Sequence, residues 1–154
     1  MDIGSYAVRS YEESGVGFDE LVAAFGRLDK LLPGDSVPPN RADVRAYTEK
    51  LVTFGFFDVV LAPDGEIVGL NAYYANDREH FTAHAGVLIL KPEVRGKAII
   101  LIRRALRTAK EQGMRTFRLQ VLKSNTPAIN IYERFVFTVC GESGEKLEMS
   151  KDLT

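Results

Sequence analysis

Three observations predict an α/β domain with a mixed sheet. The spacing of apolar residues switches repeatedly between the strand period and the helix period, in the order β-α-α-β-β-β-α-β-α-β-β. A chain of 154 residues suits one domain spanning residues 1–154. Hydrophobic residues make up 45% of the chain and charged residues 27%, which allows a buried core without disulfides or structural metal.

The first quarter of the chain predicts one strand and two helices. Alternation over Tyr6–Tyr11 indicates the first strand, and helical spacing over Phe18–Leu32 indicates the first helix, which Pro33-Gly34 ends. Asn40 is expected to cap a second helix that runs through Phe54.

Three strands are expected next. Phe56–Ala62 and Glu66–Ala75 form a hairpin around the turn at Asp64-Gly65. The polar segment Asn76–His80 is expected to be the following turn. Thr82–Lys91 is a long apolar strand, expected to be central and covered on both faces, and Pro92 stops it.

The next helix is predicted over Lys97–Gln112, with Gly113 after its last turn. Its inward residues are expected to be Ile99, Ile102, Ala105, Leu106 and Ala109. Its outward residues are expected to be Arg103, Arg104, Arg107 and Lys110.

The final elements are predicted in the order strand, helix, strand, strand. Alternation at Phe117, Leu119 and Val121 indicates a strand. Thr126-Pro127 begins a helix that ends near Phe135. The last two strands are predicted over Phe137–Cys140 and Leu147–Lys151, joined by the turn Gly141–Lys146.

Charge and cysteine content exclude several classes of protein. The net charge of −1 gives no global field for nucleic acid or an anionic membrane. Cys140 is the only cysteine and is interpreted as a small buried apolar residue; with only two histidines in the chain, no metal site is expected. No signal peptide or apolar run of about 20 residues is present, so a cytoplasmic protein is expected.

The segment Arg95–Ile100 lies between a predicted buried strand and a predicted helix. A tight turn that leads into a helix presents free amide groups and the positive end of a dipole, which together bind anions such as pyrophosphate. Arg95 and Lys97 add positive charge. The alternative is a solvated basic turn that only caps the helix.

A second segment, Ser124–Phe135, also carries candidate site residues. Asn125 stands where a strand passes into a helix, so its amide can bond a ligand lying across the sheet. Tyr132 lies one turn beyond Ala128 on the same helix face. The alternative is that Asn125 is only a helix cap and Tyr132 a half-buried core residue.

Three motifs in this order resemble the GCN5-related N-acetyltransferase (GNAT) family. They are Leu88–Lys97, then Asn125–Ile129 with Tyr132–Phe137, then Met149–Leu153. The resemblance implies a mostly antiparallel central sheet, flanked by helices, whose central strands splay apart. It also implies that acetyl-CoA is the co-substrate and that no metal is required.

The resemblance implies a role for each motif in binding acetyl-CoA. The pantetheine arm would lie along the exposed backbone of Leu88, Ile89 and Leu90, and Asn125 would help to hold it. The pyrophosphate would lie on the turn formed by Arg95, Gly96, Lys97, Ala98, Ile99 and Ile100.

The resemblance also implies direct attack of a primary amine on the thioester, with Tyr132 protonating the departing thiolate. His84 is the favoured base because it lies eleven residues before Arg95, where some family members carry a carboxylate. A hydrogen-bonded strand histidine is the alternative, and His80 and Glu79 are weaker candidate bases. The acceptor, a small molecule or a peptide or protein amine, is expected to contact residues 31–41 and the turn at 76–81.

Three residues depart from the family pattern. Ala98 and Ile100 replace glycine or small residues, and Val136 replaces the glycine after the last helix. Ile100 is expected to point into the core or else crowd the cofactor, and the helix end at Val136 is expected to be reshaped. These departures leave an alternative function, a catalytically impaired module that senses CoA or binds a protein. Members of the family often form homodimers.

A third function, nucleic-acid binding, rests only on the basic helix face at Arg103, Arg104, Arg107 and Lys110. The near-neutral total charge argues against it. The alternatives for this face are ordinary solvation or contact with the 3′-phosphate of the cofactor.

Overall fold

The computed structural model describes residues 5–32 and 43–154. The elements are β1 (Ala7–Ser10), α1 (Tyr11–Ser14), α2 (Phe18–Asp29), α3 (Val44–Phe54), β2 (Phe56–Leu61), β3 (Ile67–Asp77), β4 (Thr82–Leu90), a 3₁₀ segment (Pro92–Lys97), α4 (Ala98–Glu111), β5 (Thr116–Leu122), α5 (Thr126–Arg134), β6 (Thr138–Ser143) and β7 (Lys146–Asp152). The α/β order predicted from the sequence is confirmed, with α1 as an additional short helix. None of the helices in the described ranges is long and apolar enough to cross a bilayer.

Seven strands form one open sheet in the order β1-β2-β3-β4-β5-β7-β6. All neighbouring strands are antiparallel except β4 and β5, which are parallel. The predicted mixed, mostly antiparallel sheet is therefore confirmed.

The single parallel junction is short. β4 and β5 pair only at Thr82–Thr116, Ala83–Phe117 and His84–Arg118. From Ala85 onward β4 pairs only with β3, and a V-shaped gap opens between β4 and β5. The predicted splay is confirmed, and it explains why the central strand is not covered along its whole length: His84 and Ala85 are exposed at the mouth of the gap.

Helices cover both faces of the sheet. On the first face, here called the α2–α3 face, Leu21 and Phe25 of α2 and Leu51 of α3 pack on β2, β3 and β4. On the second, here called the α4–α5 face, Ala105 and Ala109 of α4 pack with Tyr73, Phe117 and other strand residues. The gap is therefore bounded by different helices on its two sides.

The buried face of helix α4 differs from the one predicted. Its buried residues are Ala98, Leu101, Ile102, Ala105 and Ala109. Ile99, predicted to point inward, is 38% exposed, and fully buried Leu101 takes its place. The helix begins at Ala98 after a 3₁₀ segment, and the buried positions then follow the α-helical spacing from that start.

Arg104, predicted to face solvent, instead binds buried Asp58 on β2. Its Nε donates to Oδ2 at 3.0 Å and its Nη2 to Oδ1 at 3.1 Å. This bidentate pair raises the pKa of Arg104 and ties α4 to the sheet. The predicted basic helix face therefore loses one of its four residues.

Several element boundaries also differ from prediction. Helix α3 is capped by Asp43, whose carboxylate accepts from the Ala46 amide at 2.9 Å; Asn40, the predicted cap, lies outside the described residues. The first strand ends at Ser10 because α1 follows at once. The polar segment predicted as a turn after β3 is partly strand, since β3 runs to Asp77.

The chain after α5 contradicts two expectations. Cys140 is exposed rather than buried, because it lies on the edge strand β6, where its sulfur accepts from Arg118 Nη2 at 3.4 Å. The helix end is not reshaped around Val136, which keeps the left-handed conformation with φ of 67°. The Val136 and Phe137 amides donate back to the Glu133 and Tyr132 carbonyl oxygens at 2.9 and 3.0 Å, and these bonds hold the turn.

Replacing Val136 with glycine is expected to stabilise the protein. The valine is 67% exposed, so its side chain buries little, while its left-handed backbone costs roughly 1–2 kcal/mol. Part of the gain is offset by the greater freedom of glycine in the unfolded chain, which leaves about 0.5–1 kcal/mol. Denaturant unfolding measures the change, and an unchanged or lower free energy of unfolding for Val136→Gly would show that the turn is unstrained.

Candidate active site

A cavity of about 690 Å³ lies in the gap between β4 and β5 and reaches both faces of the sheet. From the α4–α5 face it is lined by Ile102, Ala105 and Tyr132, and from the α2–α3 face by Tyr74 and His84. Its volume is in the range of pockets that hold small-molecule ligands. The sheet is therefore open through its centre at this point.

Tyr132 lines the cavity from helix α5. Its ring packs edge-on against Phe137 at 5.6 Å between centroids, which fixes its direction. Burial raises the pKa of Tyr132 to about 12, so the hydroxyl is protonated at neutral pH. No described residue is hydrogen bonded to that hydroxyl, so it is available to donate to a ligand in the cavity.

His84 lines the same cavity from the other side. It lies opposite Tyr74 on β3 and Arg118 on β5, at the last residue pair before the gap opens. Its imidazole is exposed and has no hydrogen-bond partner among residues 5–32 and 43–154. The alternative of a hydrogen-bonded strand histidine does not describe the observed environment.

The two weaker candidate bases lie elsewhere. His80 binds Asp77 through Nδ1 at 3.1 Å, and the His80 and Glu79 amides donate to the same carboxylate. These hydrogen bonds lower the pKa of Asp77. Neither Glu79 nor His80 lines the cavity.

Asn125 is the cap of helix α5, because its Oδ1 accepts from the Ala128 amide at 3.3 Å. Its side chain also lines the cavity, and its amide nitrogen is not used by the cap. The structure therefore shows the helix cap and leaves the amide donor of Asn125 without a described partner at the cavity.

Substitutions can separate these two roles of Asn125. Asn125→Asp keeps a good cap but removes the amide donor, whereas Asn125→Ala removes both. We expect Asn125→Ala to lower the free energy of unfolding by about 1 kcal/mol and Asn125→Asp to leave it nearly unchanged. Titration with acetyl-CoA completes the test: unaltered affinity in Asn125→Asp would leave Asn125 as a cap alone.

Of the three residues predicted to hold the cofactor arm, only one lines the cavity. Leu88 lines the cavity, whereas Ile89 is buried in the core beneath α2 and α3 and Leu90 packs near Val68. Leu88, Ile89 and Leu90 all pair with β3, and their opposite backbone edge faces the gap without a strand partner.

The basic turn lies outside this cavity, beyond the end of β4. Arg95 and Gly96 are exposed, and Arg95 and Lys97 form no ion pair within the described part of the chain. No atom lies within 4 Å of a Cβ placed on Gly96, so a ligand can approach its backbone closely. The Ala98 amide, by contrast, already donates to the Arg95 carbonyl.

The departures from the family pattern leave the gap open. Ala98 has φ of −55°, an ordinary helical value. Ile100 does not enter the core, since it is 40% exposed, and it is not among the residues that line the cavity. The expected burial of Ile100 in the core is therefore wrong, and its side chain lies outside the space between β4 and β5, on the exposed side of the first turn of α4 beside the basic turn.

Sequence analysis missed several residues at the cavity. Gly86 is the extra residue of a bulge in β4, and a Cβ there would come within 2.9 Å of the Ala72 carbonyl oxygen. Lys50, Arg118, Lys146 and Glu148 also line the cavity. The alternation of β5 offered a signal for Arg118, because it must face away from Phe117 and Leu119; the approach of Lys50 from α3 left none.

Comparisons with known proteins agree with this geometry. The chain matches the family model of the Acetyltransferase (GNAT) family over residues 27–137. No curated protein sequence matches the chain.

Solved structures show the same fold. The PaiA N-acetyltransferase of Thermoplasma acidophilum in complex with coenzyme A is 22% identical with a TM-score of 0.70, covering 96% of this chain and 99% of its own. An N-acetyltransferase from Staphylococcus aureus Mu50 is 18% identical with a TM-score of 0.71, covering 97% and 99%.

A spermidine N-acetyltransferase mutant from Vibrio cholerae is 16% identical with a TM-score of 0.71, covering 97% of this chain and 95% of its own. The family match covers well over half of the chain. The open gap between β4 and β5 is the feature that the resemblance to this family predicted. The chain belongs to the GNAT family of acetyltransferases.

Proposed function

We propose that this protein transfers an acetyl group from acetyl-CoA to a primary amine, and that residues 1–154 act as one catalytic domain. The observation that carries the proposal is the cavity through the sheet, with Tyr132 on one side and His84 on the other. An acyl donor and an amine can therefore meet in the gap from opposite faces.

The residues present fit acetyl-CoA. The unpaired edge of β4 beside Leu88 offers backbone groups to an extended arm, and the amide nitrogen of Asn125 is free to donate. The open backbone at Gly96, with Arg95 and Lys97 beside it, suits a diphosphate.

The chemistry requires few groups from the protein. Acetyl-CoA supplies an acyl group activated as a thioester. His84 accepts the proton of the attacking amine, so that a neutral nitrogen can bond to the acyl carbon. As the carbon–sulfur bond breaks, Tyr132 donates its proton to sulfur and later regains one from solvent. The net products are the N-acetylated amine and CoA with a free thiol.

Calorimetric titration of the protein with acetyl-CoA tests the proposal, followed by release of free thiol in the presence of amines. We expect saturable binding and amine-dependent thiol release. The absence of both heat and thermal stabilisation at millimolar acetyl-CoA would contradict cofactor binding. Binding without turnover of any amine would instead favour the catalytically impaired CoA-sensing module.

A further inference from the structure

The cavity differs in character on its two sides. Its α4–α5 side carries no lysine, arginine or carboxylate among the described lining residues, whereas Lys50, Arg118, Lys146 and Glu148 lie on the other side, on α3, β5 and β7. Direct strand neighbours share a face. His84 and Arg118 are such a pair, and so are Gln120 and Glu148. The α2–α3 side is therefore a polar wall, and because the proposed base His84 lies on it, the acceptor amine of the proposed reaction would meet this wall.

Positive charge predominates on this wall. Lys50, Arg118 and Lys146 are its cations, and Glu148 is the one carboxylate among the described lining residues. Glu148 is already engaged, since it accepts from Arg118 at 3.4 Å and from Gln120 at 3.3 Å. Lys50 and Lys146 form no ion pair within residues 5–32 and 43–154. Among the described residues, this wall has two ammonium groups without an ion-pair partner, and its one carboxylate is already hydrogen bonded.

A second observation points to a polar ligand at the same wall. Tyr74 lines the cavity beside His84, and its hydroxyl oxygen is buried without a hydrogen-bond partner in the described structure. Buried hydroxyls in folded proteins nearly always have a partner. Tyr74 therefore offers an unused donor on the same side of the cavity as Lys50 and Lys146.

We propose that the acceptor is a primary amine that also carries a carboxylate, as a free amino acid does, and that Lys50, Lys146 and Tyr74 bind this carboxylate. The inference rests on the proposed function and names its substrate class. A polycation such as a polyamine would bring further positive charge against Lys50 and Lys146, and this repulsion opposes its binding. The carboxylate instead accepts charge-assisted hydrogen bonds from the wall.

Matched acceptors that differ only in the carboxylate test the proposal. Lysine is compared with 1,5-diaminopentane, and phenylalanine with 2-phenylethylamine, in thiol-release assays. We expect kcat/KM to be roughly tenfold or more higher for the amino acid of each pair, since hydrogen bonds to charged groups are worth at least this ratio. Equal rates within each pair, or faster reaction of the diamine, would overturn it.

Variants locate the preference on the wall. Lys50→Gln and Lys146→Gln should raise KM for the amino acids and leave KM for the decarboxylated amines nearly unchanged, and Tyr74→Phe should act in the same direction. Lys110→Gln, on the outer surface of α4, is the matched control and should change neither. Loss of activity toward both members of a pair alike would show a structural role and contradict carboxylate binding.

Binding measurements separate this inference from the proposed function. The amino acids and their decarboxylated partners are titrated into the protein with CoA present, and no turnover is required. Tighter binding of the amino acids supports carboxylate binding at the polar wall even if acetyl transfer is absent. Equal binding, or no binding of either, overturns the inference even if acetyl-CoA binds.

Discussion

Replacing Tyr132 with phenylalanine is expected to lower kcat by about 100-fold, the lower end of what a positioned acid contributes. The hydroxyl is protonated at neutral pH because burial raises the pKa of Tyr132 to about 12. Without it, the thiolate must leave unprotonated or take a proton from water. Thiol release at saturating acetyl-CoA and amine measures the loss.

The same substitution should leave the fold intact. The hydroxyl has no partner among the described residues, and the ring that packs against Phe137 is retained. Tyr11→Phe, at a half-buried tyrosine packed on Phe57, is the matched control and should keep full kcat. If Tyr132→Phe kept wild-type kcat with ordinary saturation, the proton would come from elsewhere.

The raised pKa also fixes the sign of a pH effect. A tyrosine whose folded pKa lies above 10 favours folding below pH 10, and this contribution is lost as pH rises toward about 12. The acid form of Tyr132 therefore predominates at every pH below about 11. Any alkaline decline in rate below about pH 11 must come from another group.

Replacing Ala85 with phenylalanine is expected to abolish activity by filling the mouth of the gap. Ala85 lines the cavity, is exposed, and follows directly after the last residue pair that joins β4 to β5. In the proposed reaction the acyl carbon and the amine meet in this space, which a phenylalanine ring would fill. We expect kcat/KM to fall at least about 100-fold, because misplacement of reactants by 1 Å already has such an effect.

Calorimetry and thermal unfolding show whether the ring acts by occupying the gap. Ala85→Phe should bind acetyl-CoA poorly while its melting temperature stays close to that of the parent, since no core residue is displaced. Ala23→Phe, the same change at an exposed position of α2, should leave both binding and rate unchanged. A fully active Ala85→Phe protein would mean that the chemistry takes place outside this cavity.

The sequence predicted the fold well where apolar periodicity was strong. The hairpin at Asp64-Gly65 and the alternation of β5 carried clear local signals, and both are observed. The errors lie where tertiary contacts override a local pattern. Arg104 looks solvent-facing on a helical wheel, but buried Asp58 lies across from it, and no local feature of either segment reveals the pairing.

The candidate site was predicted unevenly for a similar reason. The resemblance pointed to Tyr132, His84, Asn125 and Leu88, and the structure brings all four to one cavity. The polar wall combines Lys50 with Arg118 and Lys146, which come from three distant segments of the chain. The packing of α3 on the sheet brings these three residues together. Their proximity is not visible in any short sequence motif.

Three residue pairs are all that join the backbone of β4 to that of β5. The two halves of the sheet, β1–β4 and β5–β7, are therefore joined by backbone pairing at one end of the gap only. A ligand that hydrogen bonds to the edges of β4 and β5 facing the gap replaces the strand pairing that is missing there. The binding free energy of such a ligand then opposes separation of the two halves, so we expect a bound ligand to reduce local opening most between β4 and β5.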